Sequence, residues 1–191
     1  MLAPWDLNGN NPDPSKAPDV VNNSYICPFC GLDTAFDNLR AAGIVSVVVT
    51  GNFGPTCGSV FDPGGYNSAF AVGALAYQAN AIADFSSRGP SSPVFTSPQI
   101  TAPGTDVPTS IPVNDYSTFS GTSFAAPVAT GSLALLWSAK PDLLGNVDAS
   151  VGALESSAIP ILSLSCGSAS FRPNNVYGYG SLNVKAAVGI K

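Results

Sequence analysis

The sequence predicts an α/β fold of three layers around a mostly parallel sheet, and three observations carry that prediction. Ile44 to Thr50 (IVSVVVT) is a continuous β-branched run, the pattern of a strand covered on both faces. A helical pattern lies immediately before it and a short apolar strand before that, giving strand–helix–strand order. Apolar residues make up 45% of the 191 residues and charged residues only 10%, enough to bury such a sheet.

The elements follow in order. Residues 1–18 are rich in Pro, Asn and Asp and read as a loop. PDVVNNS gives a short strand ending near Ser24. Asp33 is placed to cap a helix through TAFDNLRAA, with Phe36, Leu39 and Ala42 on one face and Gly43 closing it. After IVSVVVT, a further short strand is expected at Ala69 to Ala74, and the stretch from SSRGPSSP through VPTSIPVNDYS reads as loop. A second helix is expected from about Thr122 to Ala139, with Pro127 tolerated near its first turn. A last helix covers Val147 to Ser157, and YGYGSLNVKAAV adds a turn and a closing segment. With no internal repeat and no linker, residues 1–191 read as one domain.

Composition excludes several classes. A net charge of −5, with only seven Lys and Arg, argues against nucleic acid or an anionic membrane surface as partner. No apolar run approaches the roughly 20 residues of a membrane span. MLAPWDLNGNNPDPSKAP lacks the basic and apolar regions of a signal peptide. Cys27, Cys30, Cys57 and Cys166 form an even set that leans toward an oxidising compartment, and the sequence does not choose among the three pairings. Cys27-Pro-Phe-Cys30 has half the ligands of a zinc site, but no second CxxC and no histidine complete one.

The chemistry concentrates in SGTSFAAPVATG. Ser123 stands at the start of a helix, where backbone N–H groups are unpaired and the dipole is positive, so a developing oxyanion is stabilised there. Asn52, in GNFGP directly after the buried strand, supplies a second donor at a strand's carboxyl end, where open α/β sheets place their sites. Taken singly, each is also an ordinary helix start or turn.

In order along the chain these motifs resemble those of the subtilisin-like serine peptidases, the subtilase family. GTSFAAPVATG is similar to the family's Gly-Thr-Ser-Met-Ala-x-Pro-His-Val-Ala-Gly stretch around the nucleophile, and VTGNFGP to its oxyanion-hole segment. FAVGA, ADFSSRGP and ITAPGTDV match further family stretches in the right order, PDVVNNS resembles the strand before the substrate-binding edge, and the flanks look like the bacillopeptidase F-like branch. The resemblance implies acyl transfer on a polypeptide substrate, with Ser123 as nucleophile, Asn52 in the oxyanion hole, and Ser24, Tyr25, Ile26, Gly51 and Thr122 along the substrate. It also implies an extracellular parent protein and raises the possibility of calcium, for which only Asp62 suggests itself; no dense carboxylate cluster supports a metal site.

The pattern departs from the family in three places. The family's Asp-Thr/Ser-Gly and His-Gly-Thr-His motifs do not occur, the chain holds no histidine, and the early acids Asp6, Asp13 and Asp19 stand in no such motif. The expectation is a domain whose N-terminal part is missing, nearly inactive alone because a serine at its normal pKa is scarcely nucleophilic. Val128 replaces the family's His after Pro127, and Ile26 replaces a Gly on the substrate-binding edge, where a β-branched side chain obstructs docking. Tyr25 suits a specificity-pocket wall, although both residues read equally as plain strand residues. Substitute bases fare poorly: the only glutamate, Glu155, follows the serine, and nothing in the settings of Lys16, Lys140, Lys185 or Lys191 suggests a serine–lysine pair. A catalytically dead, peptide- or partner-binding relative is the alternative expectation.

Overall fold

The computed structural model describes residues 1–77, 80–91 and 95–190. Four parallel strands form the central sheet in the order β1 (Val20–Asn23), β2 (Val45–Val49), β3 (Phe70–Leu75) and β4 (Ile100–Pro103). Val20 to Asn23 align with Val45 to Val48, and Val72 to Leu75 with Ile100 to Pro103, so sequence neighbours are also spatial neighbours. Helix α1 (Asp33–Ala41) crosses from β1 to β2.

Side-chain alternation along β2 and β3 separates the layers. Val45, Val47, Val49, Phe70, Val72 and Ala74 face α2 (Thr122–Ala139) and α3 (Val147–Ser157), forming the main core with Ala125, Ala129, Leu133, Leu136 and Leu154. Val48, Ala69 and Ala71 face the other way, toward Phe36 of α1 and Tyr66. Trp137 Nε1–H donates to Ser150 Oγ at 2.9 Å, and Ser150 Oγ donates to the Leu143 carbonyl at 2.9 Å, which joins α2 to α3. The short helix α4 (Val184–Ala187) closes the chain, its Ala187 carbonyl accepting from Lys140 Nζ.

This is the three-layer α/β fold that the β-branched run predicts, with corrections at four points. Asp33 is the first residue of α1 rather than its cap; Leu32 holds that position and makes no side-chain capping bond. Of the expected apolar face, Phe36 is buried and Leu39 half-buried, but Ala42 is exposed. Pro127 lies in the second turn of α2, where its missing N–H leaves the Ser123 carbonyl without a helical donor.

The largest correction concerns the stretch expected to be loop. It contains β4 and an antiparallel hairpin, β5 (Val107–Ile111) and β6 (Asp115–Phe119). β4 is only four residues long and ends in Pro, so pairing with β3 rather than its own pattern makes it a strand. The hairpin turn runs through Val113 and Asn114 with positive φ, which a β-branched residue such as Val113 rarely adopts. Ser92, Pro93 and Val94 of the same stretch lie outside the described residues. The cysteines pair as Cys27–Cys30 and Cys57–Cys166, which removes the zinc half-site reading.

Glu155, half-buried near the carboxyl end of α3, has its carboxyl pushed by burial from the ordinary 4.5 up to about 7, with the Arg40 charge pulling weakly the other way. As pH rises from the unfolded value toward about 7, the unfolded chain ionises first, so folding stability falls through that window and levels off above it. Glu155→Gln is therefore expected to leave stability unchanged near pH 4 and to raise it by about 1 kcal/mol at pH 8, after allowance for solvent screening. Urea denaturation of both proteins at the two pH values checks this; equal stabilities at pH 8 contradict it.

Candidate functional site

Three chain segments meet at the carboxyl ends of the parallel strands. Ser24 to Ile26 follow β1, Gly51 to Gly54 follow β2, and Gly121 to Ser123 open α2. Such strand ends, beside a helix N-terminus, are where α/β sheets gather polar chemistry.

The central contact joins the second and third of these segments. Asn52 Oδ1 accepts from the Thr122 N–H at 2.9 Å and from Thr122 Oγ1 at 2.8 Å. The oxygen of the amide is thereby occupied, and its Nδ2 donor, which makes no hydrogen bond among the described residues, lies over Gly121, 3.3 Å from where a Cβ on that glycine would be. Thr122 is buried, whereas Ser123 is half-exposed and Asn52 exposed. Neither the Ser123 N–H nor its Oγ has a partner among the described residues, and both lie in the first turn of α2. Two free N–H donors and one hydroxyl therefore share the mouth of the helix.

The support comes from segments whose roles the sequence left unassigned. Gly54 N–H donates to the Phe85 carbonyl at 2.8 Å, Ser87 N–H to the Gly51 carbonyl at 2.9 Å, and Phe53 N–H to Ser87 Oγ at 3.1 Å. The Asp84–Ser87 stretch thus grips the Asn52 turn from both sides, so closely that any side chain on Gly54 would collide with the Ser86 and Asp84 carbonyls. Gly104 acts likewise at α2: its carbonyl accepts from the Gly121 N–H at 2.8 Å, and a Cβ there would lie 2.6 Å from that of Ala74. The FSSRGP and APG motifs are the frame of the site.

Ser24 acts on the serine through its backbone. Ser24 Oγ donates to the Ser123 carbonyl at 3.1 Å, the acceptor that Pro127 left without a helical donor. Asn22 Nδ2 donates to Ser24 Oγ at 2.9 Å, and the single proton of Thr130 Oγ1 is shared between the Ala126 carbonyl at 3.1 Å and Asn22 Oδ1 at 3.2 Å, linking β1 to α2.

The remaining candidates separate. Tyr25 lines a cavity of about 360 Å³ on the α1 side with Leu32, Phe36 and Leu39, while Ile26 turns to Gly51. Val128 is exposed on α2, and its carbonyl accepts from Ser132 Oγ. Asp62 has its carboxyl pushed up by burial and then by the charge of Asp33, but no group of three or more His, Cys, Asp or Glu among the described residues is placed to hold a metal. Asp6 and Asp13 accept from their own turn at Asn8, Asn10 and Ser15. Lys16 pairs with Asp13, and Lys140 is held at Ala187. Lys191 lies outside the described residues.

The model of the subtilase family matches residues 8–180. The chain belongs to the subtilase family. Among subtilases, bacillopeptidase F of Bacillus subtilis (strain 168) is 38% identical over 199 residues, covering 98% of this chain and 13% of that protein. Subtilisin of Bacillus pumilus is 34% identical over 188 residues, covering 96% of this chain and 61% of its own length. Of solved structures, a psychrophilic protease superposes with a TM-score of 0.74 at 32% identity, covering 86% of this chain and 57% of that one. The patellamide maturation protease PatA superposes with a TM-score of 0.73 at 26% identity, over 91% and 63%. This chain therefore spans less than two thirds of the subtilases it matches.

The Ser24 bond carries a testable consequence. Ser24→Ala is expected to cost about 1 kcal/mol, because it strips the donor from the Ser123 carbonyl. In a Pro127→Ala background the restored N–H takes that acceptor, and the cost of Ser24→Ala falls close to zero. Equal costs in both backgrounds, measured by urea denaturation, contradict the assignment.

Proposed function

We propose that this chain carries the acyl-transfer half of a serine peptidase site: Ser123 as nucleophile, with Asn52 Nδ2 and the Ser123 N–H holding the oxyanion. The observation that carries the reading is the Thr122 clamp. Two donors fix the amide oxygen of Asn52, so its NH₂ group is the end that faces a reacting carbonyl. Preorganised donors of this kind are worth about 2.7–4 kcal/mol each in a transition state, a magnitude that comes from a subtilisin.

The reaction class follows from family membership and the Ser123 position. The hydroxyl attacks a peptide carbonyl, the oxyanion settles on the two donors, and collapse expels the amine to leave an acyl-serine that water hydrolyses. Proton transfer needs a base, and none of the 191 residues is a histidine. The base and its orienting carboxylate therefore come from polypeptide outside these residues. The outer edge of β1, which has no strand partner among the described residues, supports docking of that part beside Ser24. Two disulfides favour an extracellular setting, and no helix among the described residues is long and apolar enough to cross a membrane.

The missing histidine also favours a second reading, a relative that binds peptides without cutting them. A fluorophosphonate probe separates the two. The chain alone is expected to label negligibly. Mixed with the N-terminal portion of the bacillopeptidase F catalytic domain, it is expected to label at Ser123, and Asn52→Ala to slow that labelling by about 10²–10³. Unlabelled Ser123 in the mixture, with the complex shown to form, favours the binding reading.

A further inference from the structure

Gly51 has no side chain, yet the space beside it is full. A Cβ built there would lie 2.8 Å from Ile26 Cδ1, 2.9 Å from Ser87 Oγ and 3.3 Å from Phe53 Cδ2. Those three groups come from separate segments and converge next to Asn52. The glycine that would open this gap is therefore answered by a β-branched side chain reaching across from the other wall.

Both walls of the gap are anchored. Ile26 packs against the main core. The residue after it is anchored twice, by the Cys27 N–H donating to the Asp62 carbonyl at 2.9 Å and by the Cys27–Cys30 disulfide. On the facing wall the Phe53 N–H is held by Ser87 Oγ, and the Phe53 ring meets Phe61 edge-on at 5.2 Å. The backbone that carries Ile26 and the turn that faces it are thus both held in place.

A carbonyl held between Asn52 Nδ2 and the Ser123 N–H belongs to a residue lying beside the Gly51–Asn52 turn, because Gly51 directly precedes the donor. That residue's side chain then either enters the space between the Ser24–Ile26 and Gly51–Phe53 segments or turns to solvent. Only the first is read by the protein, and there Ile26 Cδ1 already reaches across to within 2.8 Å of the Cβ position on Gly51. We propose that Ile26 is the specificity-determining residue of the site, closing the space beside Gly51 so that the residue offering its carbonyl to Ser123 is glycine or alanine.

The proposal rests on the acyl-transfer reading for the role of the carbonyl, but its test does not involve the nucleophile. The ¹⁵N-labelled chain is titrated with N-acetyl-L-phenylalaninamide while the amides of Gly51, Asn52 and Phe53 are followed. The native chain is expected to show no saturable shift at these positions. Ile26→Gly is expected to show one, with affinity at least about tenfold higher, and Ile26→Ala an intermediate response. The alanine variant keeps the test informative if the glycine variant does not fold. Saturable binding by the native chain equal to that of the variants overturns the proposal, and so does a folded variant that binds no better than the native chain. If the variants bind but Ser123 never labels in the complemented mixture, the wall stands and the acyl-transfer reading falls.

Discussion

The hydrogen bonds between Asn52 and Thr122 are the contact on which the site depends. They tie the end of a buried strand to the first turn of the long helix, two elements far apart in sequence. They also orient an amide whose two ends differ in chemistry, and place its donor beside the N–H of Ser123, which has no partner among the described residues. Without this contact Asn52 would be an exposed turn residue free to rotate, and the helix mouth would hold a single donor.

The rest of the fold keeps this contact in register. β2 is fixed because every residue from Val45 to Val49 is buried, its side chains dividing between two cores. The helix is fixed by Ala125, Ala129 and Leu133 against the same sheet, and by Gly104, whose missing side chain allows the close approach at Gly121. The turn between strand and Asn52 is gripped by the Asp84–Ser87 segment. Each of these is a short-range steric demand, which explains why glycines and small residues dominate the surrounding motifs. Ile26 breaks that trend on the wall facing Gly51.

Much of this was legible in the sequence, for different reasons at different places. IVSVVVT declares a two-sided strand by composition alone, and Thr122 to Ala139 has the length and apolar content that make a core helix unmistakable. Ser123 and Asn52 stood out as candidates because family motifs surround them. β4 was not, since four residues ending in proline carry no periodicity and become a strand only through β3. The β5–β6 hairpin was hidden by a turn that places Val113, a residue that disfavours positive φ, where glycine or asparagine is expected. The roles of Ser24 and Ser87 depend on who faces them across the fold, and matching the FSSRGP stretch to the family assigned Ser87 no partner.

The clamp itself is the claim to test most directly. A double-mutant cycle of Asn52→Ala and Thr122→Val, read by urea denaturation, isolates the hydroxyl-to-amide bond, because valine keeps the shape of threonine and removes only its donor. A coupling of about 1 kcal/mol is predicted. Two substitutions that add without coupling, within about 0.3 kcal/mol, would contradict the two-donor clamp and leave the Thr122 N–H alone to orient the amide.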